Sequence, residues 1–370
     1  MSIQSPDGEA IEDPIAYFLE DMTYHGKSDR TREAYERVLR EFEAFLAEPS
    51  RSPRDEPGTI AAATHRDCMA WIHSLRGSAA ADSTIATYAS YLHRFYAYMT
   101  QVGVFESNPM TLVKEEMDER IDTNPSRREI PLSEMRAFVR SITHPLEYAV
   151  VVTLLKTGIR VGELCNLDLR DVALADDSPL LAVADAEIDQ RPQLNGRGPS
   201  LYIDSDPQAG AVYAGEERSA SNKRKRSTVI PIDDELEVAL RRWLAIRPNV
   251  RSSAEPLFVS TSGRWGSRLT PDMVHHLVES HASEAGWHRS GGTAEENVTP
   301  HYFRHFFTTH LRDRTGDRGI VKYLRGDVGG DIIDTYTHNW GDRVRETYEE
   351  HIYSLTFRGN RERGRSSPTT

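Results

Sequence analysis

Cysteine is nearly absent from the chain, with only Cys68 and Cys165 and no C-x-x-C spacing, so a disulfide scaffold is not expected. The first residues carry no basic n-region followed by an apolar h-region, which points to an intracellular protein. Long hydrophobic runs are missing too. The longest, such as Tyr148 to Leu155, fall far short of the ~20 residues that a membrane span needs. Lysine is the scarcest charge: Lys27, Lys114, Lys156, Lys223, Lys225 and Lys322 are the only six among 45 Lys and Arg residues. An acid-rich, lysine-poor surface suits a high-salt cytoplasm and suggests a halophilic source, although a GC-rich genome would also favour arginine.

What is present suggests two domains, since 370 residues exceed one typical core. The net charge of −12 argues at first against nucleic acid. Its distribution reverses that reading. Residues 1–26 hold six acids and no Lys or Arg, and residues 173–217 hold nine acids against Arg191 and Arg197, so the remainder is close to neutral. Between the acidic zones lie basic patches, notably RSASNKRKR (Arg218 to Arg226).

Residues 15–117 read as a helical unit preceded by a flexible acidic stretch, 1–14. SDRTREAYERVLREFEAFL has Ser28 as N-cap and an apolar stripe of Tyr35, Val38, Leu39, Phe42, Phe45 and Leu46. DSTIATYASYLHRFYAYM, capped near Asp82 or Ser83, presents Ile85, Tyr88, Leu92, Phe95 and Met99, and HRDCMAWIHSL forms a shorter helix between them. Arg30, Arg32, Arg37, Arg40 and Arg94 fall on the outer faces. The polar, aperiodic segment 118–130 is the expected linker. From residue 131 to 357 helices dominate again, Gly158 marking the end of one, and SLYIDSD and RSTVIPID alternate like strands. A tail, 358–370, is expected to be flexible. The fold class is mainly α with a small antiparallel sheet in the C-terminal domain.

TPHYFRHFFTTHLRDR (Thr299 to Arg314) places His301, Arg304, His305 and Thr308 on one helical face. A metal site, an anion clamp around the arginine and a half-buried structural stripe all fit that pattern. Three further motifs accompany it: TGIRVGEL with Arg160, NKRKRSTVIPI with Lys223, and DTYTH with Tyr336. In this order and spacing, T-G-x-R-x-x-E-L, a hairpin lysine, H-x-x-R and a later tyrosine resemble the tyrosine recombinases, the phage integrase family.

The resemblance implies a helical core-DNA-binding domain and a catalytic domain that cuts and rejoins duplex DNA through a covalent 3′-phosphotyrosine. Tyr336 would be the nucleophile. Arg160 and Arg304 would clamp the phosphate, as planar guanidinium groups suit its equatorial oxygens. Lys223, eight residues before Pro231, would protonate the leaving 5′-oxygen, with Lys225 as competitor. His301 would serve as acid–base partner or phosphate hydrogen-bond donor, so the stripe faces a phosphate and not a metal. Neither metal nor cofactor is implied. The resemblance also implies a homotetramer on DNA, monomeric or dimeric when free, in the cytoplasm and away from membranes.

Two departures stand out. Asp327 occupies the position nine residues before Tyr336 where the family usually has a hydrogen-bonding His or Trp, and an ionised carboxylate cannot donate. It is either protonated, or turned to hold Arg304, Arg325 or the tyrosine loop, or replaced as donor by Arg325 or His338; a buttress is the expectation. Lost function through Asp327 would leave a non-catalytic DNA-binding relative, and a type IB topoisomerase-like enzyme would share the clamp and tyrosine. The second departure is length: 63 positions separate Arg160 from Lys223, and the acidic insertion, about 173–217, reads as an exposed, mobile loop. Gly329 and Gly330 suggest a flexible turn before the nucleophile.

Overall fold

The computed structural model of the chain describes residues 3–4, 10–50, 56–78, 80–120, 127–183, 188–327 and 340–356. The tail 358–370, Gly329, Gly330, Tyr336 and His338 lie outside the described residues. The chain divides into two compact units, Met1–Pro125 and Ser126–Thr370.

In the first unit, β1 (Ile3–Gln4) pairs antiparallel with β2 (Ala10–Ile11), and the helices α1 (Pro14–Tyr24), α2 (Asp29–Ala47), α3 (His65–Gly77), α4 (Asp82–Gln101) and α5 (Met110–Glu116) follow. Asp13 accepts the Ile15 and Ala16 amides and caps α1. Ser28 caps α2, and Thr64 with Asp67 forms a capping box on α3. The N-cap of α4 is Ala81, not Asp82 or Ser83; the helix begins one residue earlier and Asp82 lies in its first turn, where a carboxylate faces the free amides. The predicted stripes meet in one core, with Phe42, Trp71, Leu92, Phe95 and Tyr96 all buried. Of the outer-face arginines, Arg32 pairs with Asp29 and Arg40 with Asp13 and Glu43. Arg30, Arg37 and Arg94 are exposed.

The second unit contains, in order, α6 (Leu132–Ser141), α7 (Pro145–Thr157), α8 (Val161–Cys165), β3 (Val172–Ala173), α9 (Ser178–Val183), β4 (Ser200–Ile203), β5 (Val212–Tyr213), β6 (Glu216–Glu217), β7 (Thr228–Pro231), α10 (Asp234–Leu244), α11 (Pro271–Glu284), α12 (Pro300–Thr315), α13 (Arg318–Arg325) and α14 (Trp340–His351). Three strands form an antiparallel sheet in the order β3-β4-β7, with Leu201 opposite both Val172 and Ile230. Helix α7 is the centre: every residue from Ala149 to Thr157 is buried, and α10 and α12 pack against it. No described helix is long and apolar enough to cross a membrane.

The acidic insertion is not simply the exposed loop that its polar, aperiodic sequence suggests. Leu180 on α9 is fully buried in the main core, while Leu194 and Ala173 form a small second cluster with Tyr202. Single apolar anchors, too far apart to make a period, pin it down. The connection from β4 to β7 carries the β5-β6 hairpin, and Asp168 holds it from beneath. Its carboxylate takes a two-pronged grip from Arg218 (3.0 and 2.7 Å) and another bond from Arg268 (2.6 Å), which in turn binds Glu216.

One charge is buried inside α7 itself. Lys156 is fully enclosed, its Nζ 2.6 Å from Asp233, 2.7 Å from Glu235 and 2.6 Å from the Tyr353 carbonyl. Burial pushes the Glu235 carboxyl up, but Lys156, Ser354 and Thr356 outweigh it and hold the group at about 2. Removing one member of such a set strands the others without a counter-charge. Lys156→Met should therefore cost about 3–5 kcal/mol in urea unfolding. A loss below about 1 kcal/mol would mean that the charges are not interdependent.

Candidate active site

The site grows from two helix ends stopped by glycine. Helix α7 ends at Gly158, whose φ of +62° is the left-handed conformation that favours glycine, and a Cβ there would lie 2.3 Å from the Phe307 ring on α12. This close approach brings Arg304 under the turn. Its Nη1 donates to the Gly158 carbonyl at 2.6 Å, and two residues further Arg160 stands as N-cap of α8. Helix α13 ends likewise at Gly326 (φ +70°), which turns the chain so that Asp327 follows Arg325 into the same space.

Three guanidinium groups converge there on one carboxylate. Asp327 Oδ1 accepts Arg160 Nη2 at 2.8 Å and Arg304 Nη2 at 2.9 Å, and Oδ2 lies 2.9 Å from Arg325 Nη2. Arg304 also donates to the Arg325 carbonyl at 3.1 Å. Burial, then the neighbouring Arg160, pulls the Arg304 guanidinium down to about 10, so it remains charged at neutral pH.

A second carboxylate lies behind the first. Glu163 accepts the Arg160 amide at 2.8 Å and Arg160 Nη1 at 3.0 Å, and the same two oxygens accept Arg224 Nη2 and Nε at 3.1 and 3.2 Å. Burial pushes the Glu163 carboxyl up, and the cations Arg224 and Arg160 outweigh it, so it stays below the ordinary range. Arg224 is a participant that the sequence did not reveal, because it lies within a run of four basic residues. The strand parity that buries Thr228 and Ile230 reaches back to Arg224, but exposed Arg226 interrupts it.

The other expected residues are distributed around this centre. Lys223 and Lys225 are both exposed on the connection leading into β7, and the Lys225 amide donates to the Gly326 carbonyl at 3.1 Å. His301 lies in the first turn of α12, one turn before Arg304. His305 approaches Arg127 (3.4 Å) and His310 packs on Phe306, so the histidines of this helix do not converge on one point. The later tyrosines are fully buried: the Tyr348 hydroxyl donates to the Lys156 carbonyl at 2.9 Å, and that of Tyr353 donates to the Leu155 carbonyl. Neither can reach a substrate.

Comparison with known proteins gives a consistent picture. Residues 201–341 match the model of the phage integrase family, and residues 15–103 match that of the phage integrase N-terminal SAM-like domain. Tyrosine recombinase XerC of Pelobacter propionicus is 25% identical over 347 residues, covering 92% of this chain and 95% of that protein. XerC of Mycobacterium sp. (strain JLS) is 26% identical, covering 88% and 93%. Among solved structures, the Tn1549 transposon integrase in complex with transposon right end DNA shares the fold at TM-score 0.56 and 19% identity, covering 91% of this chain and 98% of that one. A lambda integrase dimer bound to a COC′ core site does so at TM-score 0.56 and 13% identity, covering 93% and 79%.

Surrounding charge bears most directly on His301. Packing around the ring, and then Arg127, Arg304 and Arg325, hold its pKa below the ordinary 6.5. Protonation of His301 therefore opposes folding: its contribution to stability is complete above 6.5 and is lost as pH drops through that value toward the folded pKa. An NMR titration should place the His301 midpoint below 6.5, and Arg127→Ala should raise it. A midpoint at or above 6.5 would contradict this arrangement of cations.

Proposed function

We propose a mechanism from one premise: the chain belongs to the phage integrase family, and it is a tyrosine-type site-specific recombinase that breaks and rejoins DNA. In our reading Tyr336 attacks the scissile phosphorus, a 3′-phosphotyrosine bond forms, and the bond to the 5′-oxygen breaks. Lys223 gives that oxygen its proton, so the strand leaves as a 5′-hydroxyl. The phosphotyrosine keeps the bond energy, and reversal of the same steps rejoins DNA without ATP.

Arg160 and Arg304 carry the reading, since both already point their Nη2 groups at one anion, the Asp327 carboxylate. Phosphoryl transfer depends chiefly on positioning and on stabilising charge over the equatorial oxygens. Asp327 serves as a buttress that fixes the two guanidinium groups. Neutral His301 accepts the Tyr336 proton or donates its ring N–H to the phosphate. We assign residues 15–117 to holding the DNA core site, 118–130 to a linker and 131–357 to catalysis, with a homotetramer acting on two duplexes in the cytoplasm. The relatives' name, tyrosine recombinase, and the matched SAM-like domain support recombination over a topoisomerase-like activity. The intact clamp supports an active enzyme over a non-catalytic relative.

The test uses a nicked duplex carrying the site that the protein selects from a random-sequence library. Wild type should form a covalent adduct that survives denaturing electrophoresis. Tyr336→Phe, which removes only the nucleophilic oxygen, should form none while binding the same DNA nearly as well. Undiminished adduct with Tyr336→Phe would remove that residue from the role.

A further inference from the structure

The general acid of a strand-cleaving site must sit over the leaving oxygen with little freedom, yet Lys223 and Lys225 are exposed residues on a long connection between two strands. What fixes them is the side chain between them. Arg224 turns inward and is fully buried. Its Nε and Nη2 grip both oxygens of Glu163, Nη1 and Nη2 reach the Leu324 carbonyl at 3.3 Å, and Nη1 also donates to Thr228 at the start of β7. One guanidinium thus ties together α8, the end of α13 and β7. Room for it comes from Gly326, where a Cβ would stand 2.4 Å from Arg224 Cγ. On the other side of Lys223, buried Asn222 receives the Asn166 amide at 2.9 Å and donates to the Asp204 carbonyl at 3.0 Å. Lys223 is held between two buried anchors.

The decisive feature is the shared carboxylate. Each Glu163 oxygen is shared between the two arginines, Oε2 accepting the Arg160 amide and Arg224 Nη2 and Oε1 accepting Arg160 Nη1 and Arg224 Nε, so the loop that bears the lysine and the clamp proposed for the phosphate are referenced to a single residue. A displacement of about 1 Å in a reacting group can cost ~10²-fold in rate. Resting on the assignment of Lys223 as general acid, we infer that Arg224 is a positioning residue: it sets the register of Lys223 against the phosphate held by Arg160 and Arg304, and so acts on proton donation and not on the phosphate.

A substrate with sulfur in place of the bridging 5′-oxygen separates these roles, because a thiolate leaves with little need of a proton. Cleavage rates on the oxygen and sulfur substrates are compared for wild type, Lys223→Ala, Arg224→Gln and Arg224→Lys. Lys223→Ala should be slowed roughly 10²-fold or more on oxygen, within the range of lost general acid catalysis, and nearly restored on sulfur. Arg224→Gln should show the same signature at about 10-fold or more. Arg224→Lys keeps a cation beside Glu163 but loses the fork; it protects against misfolding and should show a smaller loss, again restored on sulfur. If Lys223→Ala is restored and both Arg224 variants are equally slow on the two substrates, Arg224 acts through the clamp or the fold and the inference fails. If Lys223→Ala is not restored, the general-acid assignment falls, and the coupling of Arg224 to that residue falls with it.

Discussion

The catalytic unit depends on a carboxylate that three arginines share. Arg160, Arg304 and Arg325 come from the start of α8, the body of α12 and the end of α13, and all point at Asp327. Like charges brought so close repel strongly; at an effective dielectric near 20, two unit charges 4 Å apart interact by about 4 kcal/mol. Asp327 in front and Glu163 behind turn that repulsion into a fixed lattice of charge-assisted hydrogen bonds. In the proposed mechanism this lattice holds the guanidinium groups of Arg160 and Arg304 in place before the phosphodiester arrives.

The same lattice reaches into the fold. Gly158 lets α7 end against Phe307, which brings Arg304 under its carbonyl and Arg160 just beyond it. Helix α7 is buried throughout its second half, and Lys156, one turn before the site, is locked to α10 and to the Tyr353 carbonyl. Tyr348 on α14 donates to the carbonyl of that lysine. Helix α14 and the residues after it are therefore pinned to α7, the helix that ends two residues before Arg160.

Much of this architecture was legible because it is written locally. Ser28 caps a helix, Gly158 ends one, and the stripes from Val38 to Leu46 and from Ile85 to Met99 have helical period. The T-G-x-R and H-x-x-R motifs led to Arg160 and Arg304, which the fold brings together. Direction within a uniform run was not legible: nothing in KRKR separates buried Arg224 from its exposed neighbours, since only the positions of Glu163 and Leu324 decide it. Leu180 and Leu194 were hidden for a related reason. Nothing local separates buried Leu180 from exposed Leu181 beside it, and Leu194 stands alone in polar sequence.

Asp327 is the carboxylate on which Arg160, Arg304 and Arg325 meet, and its proposed task is that of counter-ion to the clamp. Adduct formation on a nicked duplex, followed across pH for wild type, Asp327→Asn and Asp327→His, tests this most directly. The account predicts an active wild type, an Asn variant impaired at every pH because a neutral amide cannot offset three guanidinium groups, and a His variant no better than wild type. An Asn variant with full activity throughout would contradict it, as would an inactive wild type restored by histidine.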